Sequence, residues 1–189
     1  NSIFFALKGE NFDGNNFAED ALRNGAACAV IDKSFSKADS RFIIVKDSLI
    51  TLQSLANYHR KMCSTKLLAI TGSKGKTTTK ELISRILSKK YKVFATKGNL
   101  NNHIGVPLSL LSMPPDTQFG IIEMGANHHG EIKQLCEITE PDFGLVTNVG
   151  KAHLEGFGNI EDIAKAKAEL FEYLKKHDGT IFGNASNSY

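Results

Sequence analysis

Apolar positions along the chain alternate between short continuous runs and helical stripes, and from Leu67 onward the two kinds of segment follow one another in turn. Short runs of apolar and β-branched residues between turn residues are typical of buried strands, whereas apolar residues three and four positions apart indicate helices. Strands that alternate with helices predict a parallel sheet covered on both faces. The predicted strands are 67–71, 92–95, 119–123, 143–147 and 180–183, and the predicted helices are 76–89, 106–112, 129–138 and 161–176.

The first third of the chain has a different order of elements, which predicts a smaller α/β domain of its own. It runs strand, turn-rich loop at 8–14, helix, strand, strand and helix. A polar break at 63–66 then separates this domain, 1–65, from the larger one, 66–189. We expect the second domain to be a doubly wound, mostly parallel sheet that is incomplete. The predicted strands of the first domain are 3–7, 27–31 and 42–45, and its predicted helices are 17–24 and 47–62.

Composition narrows the class of protein. Of 189 residues, 41% are hydrophobic and 23% are charged, as in ordinary globular domains. The net charge of +3 is small and the lysines and arginines are dispersed, which argues against a nucleic-acid partner. No apolar run approaches the roughly 20 residues of a membrane-spanning helix, so no membrane span is predicted. The dispersed cysteines, Cys28, Cys63 and Cys136, indicate reduced thiols and a cytoplasmic protein.

The clearest chemical signal is a glycine-rich turn between an apolar strand and a helix, at 71–78. Glycines let backbone N–H groups turn toward a phosphate, and the helix N-terminus adds partial positive charge there. In such a loop Lys76 neutralises nucleotide phosphates and the Thr77 hydroxyl binds Mg²⁺. The general motif has four residues between its first glycine and the Gly-Lys pair, whereas this loop has two. The predicted nucleotide contacts are Thr71, Gly72, Ser73, Lys74, Gly75, Lys76, Thr77 and Thr78.

Polar residues after other predicted strands extend this site, because ligands of doubly wound sheets lie beyond the carboxyl ends of the strands. Glu123 ends one strand and is a natural Mg²⁺ ligand, and His153 lies on a glycine-flanked loop after another. An amide-rich loop at 96–107 follows a third strand and suits a phosphate, a sugar or a peptide. From these residues alone a solvated acid, an exposed histidine and ordinary turn chemistry stay open as alternatives.

Six stretches of the chain, taken in order, carry a resemblance to a known family. They are 4–9 with 13–14, 71–78, 98–102 with 105–107, 123–126, 147–148 with 152–158, and 166–171. With them the sequence resembles the Mur ligases, ATP-dependent amide-bond ligases of bacterial cell-wall synthesis. Within that family it is most similar to the branch that adds D-alanyl-D-alanine to UDP-N-acetylmuramoyl-tripeptide. The short glycine loop is the family's own form of the phosphate motif.

The resemblance implies a catalytic role for four residues: Lys76, Glu123, His153 and Lys167. ATP and Mg²⁺ would be bound through Lys76 and Thr77, and Glu123 and His153 would hold Mg²⁺. Lys167 matches the lysine that the family carbamylates with CO₂. That modification turns a cation into an anion that binds a second Mg²⁺, a role that helical spacing alone does not suggest.

The resemblance also implies small-molecule substrates and a monomer. The UDP-N-acetylmuramoyl-peptide would be bound by the first domain and by the amide-rich loop, and D-alanyl-D-alanine would be the second substrate. Asn148 would contact the nucleotide. The expected contacts of the UDP-linked substrate are Lys8, Thr96, Asn99, Asn101 and Asn102.

Two departures from the family pattern bear on these expectations. The family's third, C-terminal domain is absent and the chain begins at Asn1 without Met, so we expect an inactive fragment. Residues 184–186 read Asn-Ala-Ser where the family often has Asn-Ala-Asp. Two alternative functions stay open, namely a related ligase acting on folate or on another cell-wall precursor, and a nucleotide-binding module without ligase chemistry. The second alternative needs the phosphate loop but no convergence of Glu123, His153 and Lys167.

Overall fold

The computed structural model describes residues 2–33, 39–150 and 159–184. The chain divides into two compact units, Asn1–Ser54 and Leu55–Tyr189. Helix α2 (Ser48–Met62) crosses this division. Its second half belongs to the second unit, because Asn57 Nδ2 donates to Ile138 O at 3.0 Å and Arg60 Nε donates to Thr139 O at 3.0 Å.

The first unit is built on a three-stranded parallel sheet with strand order β1-β4-β5. Its elements are β1 (Ile3–Phe5), β2 (Lys8–Gly9), β3 (Phe12–Asp13), a 3₁₀ turn (Gly14–Phe17), α1 (Ala18–Arg23), β4 (Cys28–Ile31) and β5 (Phe42–Ile44). The predicted strands and helices are confirmed, with ends that differ by at most two residues. The predicted loop at 8–14 is wrong in part, because β2 and β3 form a short antiparallel pair there.

The second unit is a five-stranded parallel sheet in the order β10-β9-β6-β8-β7, with helices between successive strands. Its strands are β6 (Lys66–Thr71), β7 (Val93–Ala95), β8 (Phe119–Glu123), β9 (Phe143–Val146) and β10 (Thr180–Phe182). Its helices are α3 (Lys76–Leu87), α4 (Gly105–Leu111), α5 (Glu131–Thr139) and α6 (Ile160–Lys176). The predicted alternation of strand and helix in a parallel sheet is confirmed.

Strand β6 lies at the centre of this sheet, between β8 and β9. Because these strands are parallel, the segments that follow β6, β8 and β9 come together at one edge of the sheet, and the reversal of strand order at β6 opens a crevice there. Crevices of this kind are where open α/β sheets bind ligands. Fully buried apolar side chains such as Leu67, Ile122 and Leu170 form the core beneath that edge and hold the strand ends in place.

Candidate functional site

The glycine-rich turn lies at the carboxyl end of the central strand β6 and opens helix α3. Gly72 and Gly75 have positive φ angles of 142° and 78°, which glycine adopts at little cost. Helix α3 begins at Lys76, and its N-cap is Gly75, which has no side chain to cap the first turn. The first N–H groups of the helix and the positive end of its dipole therefore face the turn.

Two residues that follow β9 support the turn from the side. Thr147 Oγ1 donates to Lys74 O at 2.7 Å, and Asn148 Oδ1 accepts from Lys74 N at 3.0 Å. Asn148 Nδ2 also donates to Lys74 O at 2.9 Å, and the Ser73 amide donates to Asn148 O at 3.0 Å. The sequence predicts Asn148 as a nucleotide contact. In this structure the oxygen and the nitrogen of its side-chain amide both form hydrogen bonds with the backbone of the turn. Thr147 was missed, although its place directly after a strand of the sheet is a signal for it.

Lys76 folds back over the turn that precedes it. Its Nζ donates to Gly72 O at 2.7 Å. Burial lowers the pKa of the Lys76 ammonium below its usual 10.5, and the negative charge of Glu123 offsets part of that shift. A half-buried cation thus lies at the mouth of the glycine-rich turn, as a group that neutralises phosphate charge should.

Glu123 ends strand β8 with a carboxylate that is almost completely buried, at 2% exposure. Its Oε2 accepts from Thr77 Oγ1 at 3.0 Å, and its Oε1 accepts from Asn101 Nδ2 at 2.9 Å. Two predicted metal ligands, Thr77 and Glu123, are therefore in direct contact. Asn101, a predicted substrate contact, instead donates to one oxygen of that carboxylate.

Two further residues lie beneath this carboxylate. Lys80 is 1% exposed, and its Nζ donates to Thr96 O at 2.6 Å and lies 3.7 Å from Glu123 Oε2. The Thr96 hydroxyl accepts from the Glu123 amide at 3.0 Å. Thr96 is predicted as a substrate contact, but at 1% exposure its side chain lies inside the unit and supports strand β8. Lys80 was missed because a lysine four residues into the helix reads as a surface residue.

Lys167 lies on the buried side of helix α6 and is 3% exposed. Burial, and after it the positive charge of Lys76, lower the pKa of the Lys167 amine to about 8, while Glu131 and Glu169 act in the opposite direction. Glu169, two residues further on, accepts from Gly130 N at 2.7 Å at the start of helix α5. The structure thus brings Lys167 within electrostatic reach of Lys76 at the glycine-rich turn.

The remaining predicted residues have varied surroundings. Asn102 Oδ1 accepts from Gly105 N at 2.8 Å and so holds the start of helix α4, while Asn99 is exposed. In the first unit, Lys8 Nζ lies 2.8 Å from Asp32 Oδ1. His153 lies outside the described residues.

A pocket of about 280 Å³ lies beside Lys76 at the carboxyl edge of the sheet. Its walls come from the loop at 101–103, the segment after β8 and the first turns of α5. Amide and acid side chains face it, among them Asn102, Glu131 and Gln134. Such a lining suits a small polar ligand next to the glycine-rich turn.

In the part of the chain that the structure describes, no cluster of three or more His, Cys, Asp or Glu side chains has a metal-binding arrangement. Nor does any helix within those residues have the length and apolar character needed to cross a bilayer.

Comparison with known proteins identifies relatives for the whole chain. Residues 70–189 match the family model described as the Mur ligase middle domain. The chain is 40% identical over 188 residues to the UDP-N-acetylmuramoyl-tripeptide–D-alanyl-D-alanine ligase of Rickettsia prowazekii, covering 99% of this chain and 42% of that protein. The enzyme of the same name from Bacillus subtilis is 41% identical over 181 residues, covering 95% and 39%. The chain thus spans well under half the length of these relatives.

Solved structures agree with the sequence relatives. MurF from Acinetobacter baumannii superposes with a TM-score of 0.87 at 35% identity, covering 96% of this chain and 44% of that one. MurF ligase from Thermotoga maritima, solved in complex with ADP, gives a TM-score of 0.86 at 36% identity, covering 97% and 48%.

Proposed function

The chain belongs to the Mur ligase family, and on that premise we propose that the whole protein joins D-alanyl-D-alanine to UDP-N-acetylmuramoyl-tripeptide at the expense of ATP. In this reaction the peptide carboxylate attacks the γ-phosphate of ATP, which yields an acyl phosphate and ADP. The amine of D-alanyl-D-alanine then attacks the acyl carbon, and phosphate leaves. The names of the relatives in Rickettsia prowazekii and Bacillus subtilis support this choice of substrates.

The observation that carries the proposal is the convergence of Lys76, Thr77 and Glu123 at one edge of the sheet. Lys76 spans the glycine-rich turn, and Thr77 Oγ1 lies 3.0 Å from Glu123 Oε2. Because phosphoryl transfer places negative charge on the transferred group, its catalysis depends on cations and fixed donors at that position. The pocket beside Lys76 supplies space for the acceptor carboxylate next to these groups.

The donor set fits ATP and Mg²⁺. Hydroxyl and carboxylate oxygens, as on Thr77 and Glu123, are the ligands that Mg²⁺ prefers. The Thr71 hydroxyl just before the turn is buried and has no hydrogen-bond partner among the described residues, which leaves it available to a polar ligand. When bound, Mg²⁺ would neutralise phosphate charge. The backbone of the turn, held by Thr147 and Asn148, would orient the phosphates.

We extend the proposal to Lys167 as the carbamylated lysine and to His153 as a further Mg²⁺ ligand. The lowered pKa of Lys167, about 8, favours the neutral amine that reacts with CO₂. Its burial would shield the carbamate from bulk water. The position of Lys76 nearby would stabilise the resulting anion.

The proposal assigns the UDP portion of the substrate to the first unit, with Lys8 as a contact, and the peptide to Asn99 and the pocket. On the same basis the protein is a cytoplasmic monomer that acts on small molecules. The compartment and the small-molecule substrates follow from the proposed reaction, whose substrates are soluble precursors of the cell wall, whereas the monomer is what the resemblance to the family implies.

Phosphate release from ATP by the full-length protein tests the proposal. We expect release only when UDP-N-acetylmuramoyl-tripeptide and D-alanyl-D-alanine are both present. Lys76→Ala should lower turnover about 100-fold or more, because it removes a cation that acts on the transferred phosphoryl group. Lys89→Ala, exposed just beyond the end of α3, is the control and should behave as the wild type. Release that ignores both substrates, or full turnover by Lys76→Ala, would refute the proposal.

A further inference from the structure

Helix α3 carries one fully buried cation, Lys80, directly beneath the site. Its ammonium group has three polar neighbours: Thr96 O at 2.6 Å, Glu81 Oε1 at 3.5 Å and Glu123 Oε2 at 3.7 Å. The Glu81 side chain is 57% exposed, so water screens its charge, whereas that of Glu123 is 3% exposed. Glu123 is therefore the carboxylate with which Lys80 interacts most strongly.

Folding stability alone does not explain a lysine at this position. Moving an ammonium group out of water is costly, and an apolar side chain of similar volume often replaces a buried ion pair without loss of stability. Removing one member of such a pair is a different matter, since the remaining charge is then buried without compensation. The buried ammonium group of Lys80 therefore compensates the charge of one particular carboxylate, that of Glu123.

The hydrogen bonds around the pair hold it in one geometry. Thr96 accepts from Lys80 through its carbonyl and from the Glu123 amide through its hydroxyl, so one residue positions both charges. Thr77 donates to Oε2 of the carboxylate and Asn101 donates to Oε1. Glu123 thus has a donor on each oxygen and a cation 3.7 Å from one of them.

We propose that Lys80 is the internal counter-ion of Glu123 and keeps that carboxylate compensated and oriented toward Thr77 before a divalent cation binds. Lys80 is then a positioning residue, because it acts on the reaction only through Glu123. The inference rests on the Mg²⁺ role of Glu123 in the proposed function.

The pairing has a consequence of definite sign for metal binding. A fixed positive charge close to Glu123 repels an arriving divalent cation, so Lys80 makes Mg²⁺ binding weaker than the carboxylate alone would give. In return it removes the cost of an uncompensated buried charge in the metal-free protein. Neutralising Lys80 should therefore strengthen Mg²⁺ binding and destabilise the metal-free protein.

The test uses the full-length protein and four forms: wild type, Lys80→Met, Glu123→Gln and the double variant. In EDTA, the thermal unfolding temperature of each single variant should be several degrees below that of the wild type. The decrease in the double variant should be smaller than the sum of the two single decreases. Titration of Mg²⁺ at fixed ADP should show a half-saturating concentration about tenfold lower for Lys80→Met, a modest effect for unit charges this close.

Glu81→Gln is the matched control, since it removes the other carboxylate near Lys80. It should leave both the unfolding temperature and the Mg²⁺ titration as in wild type. Three results would each overturn the inference. They are an additive loss of unfolding temperature in the double variant, unchanged or weaker Mg²⁺ binding by Lys80→Met, and the same changes in unfolding temperature and Mg²⁺ binding from Glu81→Gln. If the wild type shows no Mg²⁺-dependent ADP binding, the proposed function fails, and the unfolding cycle alone decides the pairing.

Discussion

Carbamylation of Lys167 depends on how much of its amine is neutral, because CO₂ reacts with the unprotonated nitrogen. With a pKa of about 8, set by burial and by the charge of Lys76, about a quarter of the Lys167 amine is neutral at pH 7.5. An ordinary lysine at 10.5 is neutral in about one molecule per thousand at that pH. The structure therefore gives Lys167 an advantage of about two hundredfold over exposed lysines.

The assay is ¹³C NMR of the protein equilibrated with ¹³CO₂ at constant dissolved CO₂ between pH 7 and 9. Since the pKa of Lys167 is lowered, its neutral fraction rises with pH through about 8 and is nearly complete by the upper end. We expect a carbamate signal that follows this curve and disappears in Lys167→Arg, next to a separate one from the α-amino group of the chain, because such groups ordinarily titrate near pH 8 as well. Lys76→Met should weaken the signal, because it removes both the repulsion that lowers the pKa and a cation that stabilises the anion.

Lys165 is the matched control, because it lies on the same helix with a side chain 70% exposed. Lys165→Arg should leave the signal unchanged. If Lys167→Arg removes no carbamate signal, or if the signal that it removes has a pH dependence centred near 10.5, the reasoning is refuted.

Two further predictions concern the folding of the second unit. Gly72→Ala should destabilise the protein by roughly 2–4 kcal/mol and abolish ADP binding, because the new methyl group would clash with Thr147 Oγ1 and the backbone φ of 142° disfavours alanine. Gly75→Ala is the control; it has open space around it and should cost about 1 kcal/mol. Equal losses of unfolding free energy for the two variants in urea would contradict the clash. Asp142→Ala removes an acceptor that bonds the Leu67 amide at 2.8 Å and ion-pairs with Lys66. We expect the free energy of unfolding to fall by roughly 1–3 kcal/mol in the same assay. A decrease below a few tenths of a kcal/mol would show that water replaces the carboxylate.

Local sequence signals located the glycine-rich turn at 71–78 and the elements on either side of it well. The apolar run before Gly72 and the helical stripe after it specified a strand, a turn and a helix, and each is found within two residues of its predicted place. Glu123 was predicted at a strand end, and the parallel sheet brings it to Thr77 because carboxyl ends of parallel strands share one edge.

The surroundings of other site residues could not be predicted, because they depend on neighbours distant in sequence. Thr96 is predicted as a substrate contact and Lys80 is not singled out, yet the two residues meet near Glu123 once β7, β8 and α3 pack together. Asn148 and Asn102 carry amides typical of ligand contacts, but those amides bond the backbone of the Lys74 turn and of helix α4.

The sequence by itself determined the order of strands and helices, the parallel sheet and the glycine-rich turn, since each depends on residues close together along the chain. Only the tertiary structure decided which charges are buried and paired. The pKa of Lys167 and the pairing of Lys80 with Glu123 arise from desolvation and from charges brought near by packing. Neither the pKa nor the pairing can be read from a short stretch of sequence, because both depend on what surrounds the side chain in space.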